Sequence, residues 1–334
     1  MIKAYIKCIE YYLPADVLDN TQISVDFPDW SVDKISAKTG IYERHIADKE
    51  EFTSDMAVTV SKKLFENNNI NRADVDFILL CTQSPDYILP TTACIVQDRL
   101  GMNKTVGALD FNLGCSGYVY GLALAKGLIA ARIARNILLI TSETYTKFIH
   151  KGDKSNRTIF GDGASATIIS TDGICEIGDF DLGTDGAGAQ NLIIKNGGAR
   201  NPLREEKETI DEYGNVLNPS YLYMNGPEIF SFTSSAVPSL IDNVLFKNVL
   251  KLETIDLYVF HQANQFMLNH LRKKIGIDES KFYLFLKECG NTVSSTIPIA
   301  LKNAMIDNRI NKGTNVLIAG FGVGYSWGGT VLRF

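Results

Sequence analysis

Short apolar runs recur along the chain, and longer amphipathic stretches separate them. The runs have the length and composition of buried β-strands, and they lie at residues 77–81, 137–140, 167–169, 257–260 and 316–319. The intervening stretches, such as residues 118–131, are long enough to form helices. This alternation of strands and helices predicts an α/β fold built of layers.

The same pattern occurs twice. The segment VDFILLCTQS aligns residue for residue with IDLYVFHQAN, and each is followed by a Gly-flanked turn, a helix and a strand. The two halves close on FGDGASATIIS and FGVGYSWGGTVLRF. We therefore predict two units related by duplication, residues 1–172 and 173–334. Equivalent turns, with Cys81 and Cys115 in one half and His261 and Asn291 in the other, should then meet near a pseudo-twofold axis.

Residues 183–225 break this pattern, because Gly, Asn, Glu and Lys are mixed there without a sustained period. Such a composition favours turns over long helices or strands. We interpret the stretch as a surface excursion with at most a short hairpin, and not as a third domain.

Composition and charge exclude several classes of function. Hydrophobic residues make up 45% of the chain and charged residues 21%, as in a globular protein with a sizeable core. Lys and Arg number 33 against 38 Asp and Glu, so the net charge is −5. This charge repels phosphate backbones and anionic lipid surfaces, and we expect neither nucleic acid nor membrane as a partner.

The apolar segments and the cysteines indicate a cytoplasmic protein. Charged residues interrupt the first apolar segment, and Lys126, Arg132 and Arg135 interrupt the most apolar later one, so we expect no signal peptide and no membrane span. The six cysteines are scattered singly without a CxxC motif, as is typical of reduced thiols. We expect no disulfide framework and no structural zinc.

Cys115 is the strongest candidate nucleophile. It lies in Asn-Leu-Gly-Cys-Ser-Gly, directly after one predicted strand and directly before a predicted helix. The unpaired N–H groups and the dipole of a helix N-terminus lower the pKa of a thiol and favour the reactive thiolate. An inert buried cysteine is an equally good interpretation of the local motif alone.

His261 and Asn291 are weak candidates when each is taken alone. A lone His after a strand is more often structural, and an Asn after Gly is more often a turn or cap residue. The predicted duplication, however, places both at strand ends equivalent to the one before Cys115. The other histidines, His45, His150 and His270, have no such position, and we expect no metal site.

Six ordered motifs give the chain a family resemblance. KTGIYERHIA, GCSGYVYGLALA, FGDGASA, HQANQFML, GNTVSSTIPIAL and GFGVGYSWGG together resemble the β-ketoacyl-acyl carrier protein synthase III group of the thiolase superfamily, over residues 2–334. The resemblance implies an αβαβα sandwich of two duplicated halves, a homodimer, and the condensation of an acyl thioester with malonyl-acyl carrier protein that initiates fatty acid biosynthesis. It also implies no permanently bound cofactor, with coenzyme A or phosphopantetheine thioesters as substrates.

The resemblance further implies a role for each site residue. Cys115 would carry the acyl group, and His261 and Asn291 would donate hydrogen bonds to the thioester oxygen of the malonyl group. The backbone N–H groups of Cys115 and Val323 would form an oxyanion hole. Other residues would line or screen the acyl pocket, namely Phe321, Phe230 and, from the partner subunit, Leu89.

The segments that would contact coenzyme A depart from the family pattern. Lys34 and Lys38 stand where the family has Trp and Arg, with Trp30 displaced upstream, and Lys154 replaces a second Arg although Arg157 is near. Lys cannot reproduce the planar contacts of Arg. Pro227 and Phe266 also replace the Asn and Arg that the family usually has.

Several alternative functions follow from these departures and from the residue types. One is a specialised enzyme of polyketide, pigment or surface-glycolipid assembly that takes acyl groups from a carrier protein. Another is an acyltransferase that does not decarboxylate. A papain-like hydrolase lacks its flanking signature here, and a catalytically dead subunit is disfavoured by the intact Cys, His and Asn.

Overall fold

A computed structural model describes residues 2–203 and 207–334. The strands within these ranges are β1 (Tyr5–Tyr12), β2 (Asp16–Asp19), β3 (Glu43–Ile46), β4 (Phe77–Cys81), β5 (Gly107–Phe111), β6 (Ile137–Glu143), β7 (Gly163–Ser170), β8 (Cys175–Ile177), β9 (Asp181–Thr184), β10 (Leu192–Ile193), β11 (Thr209–Ile210), β12 (Val216–Leu217), β13 (Tyr223–Met224), β14 (Leu257–Phe260), β15 (Asn315–Gly322) and β16 (Ser326–Arg333). The α-helices are α1 (Asn20–Asp26), α2 (Val32–Thr39), α3 (Thr53–Asn67), α4 (Thr92–Arg99), α5 (Gly117–Ala130), α6 (Lys154–Arg157), α7 (Gly226–Lys247), α8 (Gln265–Ile275) and α9 (Thr296–Ile306).

A mixed β-sheet forms the frame of the molecule. Its order is β14-β15-β16-β8-β1-β7-β6-β4-β5, and β9 pairs with β16. The short β8 makes only two residue pairs with β1 and two with β16, so it joins two larger portions of sheet. In one portion β4 runs parallel to β5 and β6, and in the other β14 runs parallel to β15.

The same hydrogen bonds begin the parallel pairs of both portions. Asp76, just before β4, accepts a hydrogen bond from the backbone N–H of Asn136 at 2.9 Å, and Asp256, just before β14, accepts one from Asn315 at 2.8 Å. Each Asp also donates its own backbone N–H to the carbonyl of the same Asn. These are the aspartates that the two aligned sequence segments share.

Helices complete a five-layer sandwich. On one outer side, α3 and α4 pack against β1, β4, β5, β6 and β7, and on the other α7 packs against β15 and β16 and also contacts α8. Between the two portions of sheet lie α5 and α9, each of which contacts strands of both. The chain therefore has the α/β class that the sequence pattern predicts and the αβαβα layers that the family resemblance implies.

The helix α7 is long and apolar enough to cross a membrane by length and composition. It is the one helix of the described ranges that meets this test. Its buried residues, among them Val237, Leu240, Ile241 and Val244, belong to an apolar core cluster with β15 and β16. This is the packing of a core helix.

Candidate active site

Cys115 lies in the turn between β5 and α5, where the end of β15 packs against it. The residue is buried, and an added Cβ at Gly322 would lie 2.9 Å from its Sγ. Glycine is therefore required at 322 for this close approach. The neighbouring Ser116 Oγ lies 2.6 Å from Ser326 Oγ in β16, which joins the turn to the second half of the chain.

The thiol of Cys115 is protonated at neutral pH. Burial and, to a smaller extent, the nearby Glu143 carboxyl raise its pKa to about 12. The prediction that the helix N-terminus lowers the pKa of this thiol is therefore wrong for the free protein. Loss of solvation penalises the thiolate more than the start of α5 stabilises it.

His261 follows β14 directly and is held by two hydrogen bonds. Its backbone N–H donates to the carbonyl of Ala319 in β15 at 2.8 Å, and its Nδ1 lies 2.7 Å from Thr296 Oγ1 at the start of α9. Burial lowers the pKa of the imidazole to about 3. The ring is therefore neutral, and when Thr296 donates to Nδ1 the ring proton lies on Nε2.

Asn291 faces the same imidazole. Its Nδ2 lies 3.5 Å from His261 Nε2, because its Oδ1 accepts a hydrogen bond from the backbone N–H of Val293 at 2.9 Å. Val293 has a φ of 55°, in the left-handed region that a β-branched residue rarely adopts. Its carbonyl lies 3.1 Å from Thr296 Oγ1, whose single proton goes either to that carbonyl or to His261 Nδ1. This strained residue therefore contacts Asn291 directly and His261 through Thr296.

The three predicted catalytic residues line one inner cavity of about 300 Å³. Its other walls are mainly apolar and include two residues that the sequence predicts as pocket residues, Phe230 and Phe321. The Phe321 ring packs edge-on to His261, with their centroids 5.8 Å apart. The cavity is thus apolar on the side of β15.

Val323 does not line this cavity with its side chain, although the adjacent Gly322 does. Its backbone N–H makes no hydrogen bond to any residue that the structure describes, and the backbone N–H of Cys115 interacts with its own thiol. Buried N–H groups usually have partners. The Val323 N–H is thus without a partner among the described residues.

A larger outer cavity of about 710 Å³ leads into the inner one. The two share their lining residues Ile159, Met224, Gly226, Pro227, Asn264 and Phe266. A long, thin substrate arm can therefore pass through the outer cavity to reach Cys115.

The residues predicted to contact coenzyme A divide into two groups. Trp30 and Lys38 line the outer cavity, and the ammonium group of Lys38 lies 4.8 Å from the centroid of the Trp30 ring. Lys154 and Arg157 do not line it. Arg157 instead pairs with Asp26 at 2.9 Å, and its contact with a nucleotide stays a prediction.

Leu89 lies outside both cavities of its own chain. Its residue surface is 79% exposed, and the adjacent Tyr87 and Ile88 are exposed as well.

Within residues 2–203 and 207–334, no three His, Cys, Asp or Glu side chains lie close enough to hold a metal ion.

Sequence reasoning missed two parts of the site. The first is the pair Val293 and Thr296, which lie in the quoted GNTVSSTIPIAL motif but were given no role. The second is the stretch 183–225, which is more than the predicted surface excursion. It does form a hairpin of β11 and β12, but Leu192 and Met224 line the inner cavity and residues 211–213 line the outer one.

Comparisons with known proteins agree with this geometry. The family model described as 3-oxoacyl-[acyl-carrier-protein (ACP)] synthase III matches residues 109–186, and its C-terminal counterpart matches residues 245–334. A β-ketoacyl-[acyl-carrier-protein] synthase III of Clostridium perfringens is 36% identical over 323 residues, 96% of each chain. A similar enzyme of Clostridioides difficile is 36% identical and covers 99% of this chain and 98% of its own.

Solved structures give the same result. A crystal structure of a 3-oxoacyl-(acyl-carrier-protein) synthase III superposes with a TM-score of 0.97 at 49% identity, over 99% of this chain and 100% of the other. A 3-oxoacyl-(acyl-carrier protein) synthase of Burkholderia xenovorans superposes with a TM-score of 0.90 at 32% identity, over 99% and 93% of the two chains.

Proposed function

Since the chain belongs to the 3-oxoacyl-[acyl-carrier-protein] synthase III family of acyltransferase-type condensing enzymes, we propose that it joins an acyl thioester to malonyl-acyl carrier protein. The reaction is a decarboxylating Claisen condensation through an acyl-cysteine, and it initiates fatty acid biosynthesis. The observation that carries the proposal is the convergence of Cys115, His261 and Asn291 on one cavity.

In the first half-reaction the Cys115 sulfur attacks the carbonyl of the acyl thioester. The bond from the carbonyl carbon to the donor sulfur breaks, the acyl group stays on Cys115, and the thiol proton leaves with the released donor thiol. Because the pKa of Cys115 is about 12, sulfur attack and proton loss must be coupled. The backbone N–H groups of Cys115 and Val323 stabilise the oxyanion that forms.

In the second half-reaction the malonyl group loses its carboxylate as carbon dioxide. The electron pair of the broken bond moves towards the thioester oxygen, where the Nε2–H of His261 and the amide of Asn291 donate hydrogen bonds. Each such donor contributes roughly 3 kcal/mol to stabilising the transition state. Because both groups are neutral, neither forms an ion pair with the malonyl carboxylate. Such an ion pair would oppose the loss of that carboxylate as carbon dioxide.

The resulting carbanion then attacks the acyl-Cys115 carbonyl. A carbon–carbon bond forms, the bond to Sγ breaks, and a 3-oxoacyl thioester leaves on the carrier protein while Cys115 regains a proton. The buried Phe321 ring beside His261 keeps water from quenching the carbanion.

An acyl transfer without decarboxylation would not need a pair of hydrogen-bond donors facing the nucleophile. The 3.5 Å approach of Asn291 Nδ2 to His261 Nε2 supports condensation over simple acyl transfer. We propose acyl carrier protein as the partner that supplies the malonyl group, no permanently bound cofactor, and the cytoplasm as the location. We also propose a homodimer in which the exposed Leu89 lines the acyl pocket of the partner subunit.

Replacing Cys115 with Ser tests the acyl-enzyme. Incubation of the wild-type protein with acyl-carrier and acyl-coenzyme A thioesters should add one acyl mass, which peptide mapping places on Cys115. The C115S protein should gain none, while the exposed Cys94 replaced by Ser serves as the control that loads normally. Normal loading of C115S in rate and stability would contradict the assignment.

A further inference from the structure

Asn291 is held through its backbone as well as through its side chain. Its backbone N–H donates to the carbonyl of Ile159 at 2.9 Å, and its own carbonyl accepts the N–H of Gly161 at 3.1 Å. Phe160, between these two residues, forms an isolated parallel bridge with Asn291. The place of the Asn291 amide therefore depends on the place of the 158–161 segment.

The same segment forms a wall of the passage that leads to Cys115. Thr158 lines the outer cavity, Phe160 lines the inner one, and Ile159 between them lines both. The segment lies between the end of α6 and the start of β7 and belongs to neither element. Contacts with other parts of the chain must therefore fix its backbone.

Arg44 in β3 supplies such contacts to the first residue of the segment. Its side chain is fully buried, its Nε donates to the carbonyl of Thr158 at 3.1 Å, and its Nη2 donates to the same oxygen. Its Nη1 donates to Asn20 Oδ1 and to the carbonyl of Tyr42. The rigid, planar guanidinium thus fixes the Thr158 carbonyl relative to two other parts of the chain.

The aliphatic stem of Arg44 packs close to the two glycines beside Asn291. A Cβ added at Gly290 would lie 3.1 Å from Arg44 Cγ, and one added at Gly161 would lie 3.3 Å from Arg44 Cβ. Gly290 precedes Asn291 in sequence, and Gly161 donates to its carbonyl. Arg44 therefore touches the chain on both sides of the Asn291 backbone.

Stability alone does not explain a buried arginine at this place. Its hydrogen-bond acceptors within residues 2–203 and 207–334 are all neutral oxygens. Burial lowers the pKa of Arg44 to about 10, and the charge of Asp19 opposes this shift, so the guanidinium is charged at neutral pH. Burying a charge without an ion-pair partner costs free energy. The contribution of Arg44 is then the geometry that it imposes.

We infer that Arg44 is a positioning residue for malonyl decarboxylation: it holds the 158–161 segment and thereby aims the Asn291 amide at the thioester oxygen. This inference rests on the proposed function, because it concerns the second half-reaction. It extends the site to a side chain that lines neither cavity.

Replacing Arg44 with Met tests the inference, because Met keeps an apolar stem and removes every donor. We expect R44M to load Cys115 at a rate within about twofold of the wild type, but to decarboxylate malonyl-carrier protein about tenfold more slowly. Intact mass measures loading, and release of labelled carbon dioxide measures decarboxylation. R44K keeps the charge without the planar fork and should lose about threefold in decarboxylation alone. It also provides the measurement if R44M does not fold.

A double replacement distinguishes positioning from a general structural effect. If Arg44 acts through Asn291, the R44M/N291A protein should decarboxylate about as slowly as N291A alone, because the group that Arg44 positions is already absent. Two independent effects would instead multiply, and the double variant would be about tenfold slower than N291A. The same comparison with R44K gives a second test of this coupling.

Arg272 provides the matched control. It is a half-buried arginine that also donates to a backbone carbonyl, that of Ile277 at 3.4 Å, and it lines neither cavity. R272M should leave the ratio of loading to decarboxylation unchanged, even where urea unfolding shows a loss of stability.

Three outcomes would overturn the inference: wild-type decarboxylation in R44M, equal slowing of both half-reactions in R44M and R44K, or multiplied losses in the double variant. In each of these the wild-type protein still condenses its substrates, and the proposed function stands. A wild-type protein that loads Cys115 but releases no carbon dioxide would contradict the proposed function and the role of Arg44 together.

Discussion

At the scale of single residues, the inner cavity holds only neutral groups at its reacting end. Burial keeps Cys115 a thiol and His261 an uncharged imidazole, and Asn291 carries no charge. A cavity of this kind binds the neutral thioester easily and stabilises charge only where it develops during the reaction. That property suits a reaction whose substrate must lose a carboxylate.

The two half-reactions should separate in an Asn291→Asp protein. Loading of the acyl group on Cys115 should continue, whereas malonyl decarboxylation should fall by on the order of a hundredfold, because a donor is replaced by a like charge beside the developing oxyanion. Intact mass measures the first step and release of labelled carbon dioxide the second. Lost loading with normal decarboxylation would reverse the proposed roles.

The pKa of about 12 predicts how Cys115 reacts with alkylating reagents. Only the thiolate reacts, and for a group with a raised pKa the thiolate fraction keeps growing as the pH rises towards that value. The alkylation rate of Cys115 by iodoacetamide should therefore rise about tenfold per pH unit between pH 7 and 9. Peptide mapping distinguishes Cys115 from the exposed Cys94, and a rate that levels off near pH 7 would contradict the raised pKa.

The residues proposed to carry the chemistry could be identified from the sequence, but their electrostatics could not. Cys115, His261 and Asn291 lie in motifs with recognisable flanks. The pKa of Cys115 depends instead on how completely β15, α5 and Glu143 enclose it, which only tertiary packing decides. Thr296 and Val293 were missed for the same reason, since an ordinary hydroxyl and a backbone strained at φ 55° have no signature in the sequence.

At the scale of elements, α5 illustrates how the middle layer is packed. An added Cβ at Gly121 would lie 2.5 Å from Leu139 Cδ1, whereas nothing lies within 4 Å of one at Gly127. Both glycines are interior to the same helix. At Gly121 α5 is therefore in tight contact with β6, whereas at Gly127 there is open space beside the helix.

Alanine at these two positions should have opposite effects on stability. Gly127→Ala should stabilise the protein by about 0.5–1 kcal/mol, because alanine lowers the entropy of the unfolded chain and favours a helix. Gly121→Ala should destabilise it by about 1–3 kcal/mol through overpacking. Urea unfolding of the two variants measures both changes, and equal effects would contradict the packing described for α5.

Strands were easier to predict than the hairpin beside the outer cavity. The apolar runs at 77–81 and 257–260 coincide with β4 and β14, because strands buried on both faces read as continuous apolar segments. The hairpin of β11 and β12 is short and polar, and contacts with residues 152–155 hold it in place. Its sequence alone therefore indicates a loop.

At the scale of the whole molecule, one edge of the sheet is left uncovered in a single chain. The outer edge of β5 pairs with no strand of the described residues, and the exposed apolar residues Tyr87, Ile88 and Leu89 follow β4, its neighbour. A free edge beside apolar side chains is a surface that proteins usually cover. A second copy of the chain would cover both at once.

A charge placed in this surface should prevent the proposed dimer. Ile88, 88% exposed, replaced by Asp should give a monomer by light scattering, since an aspartate would be buried without a partner. The matched control is Phe246→Asp on the far end of α7, where the side chain is 83% exposed. This variant should remain dimeric, and a dimeric I88D protein would contradict the assigned surface.

The middle layer ties the two halves together in another way. Because α5 and α9 each pack on strands from both portions of the sheet, neither portion has a helical layer of its own on that side. Unfolding one portion exposes apolar surface of the other portion to water. Partial unfolding therefore costs nearly as much free energy as complete unfolding. The two halves of the proposed duplication therefore lack the independence of separate domains, and we expect the chain to unfold as one cooperative unit.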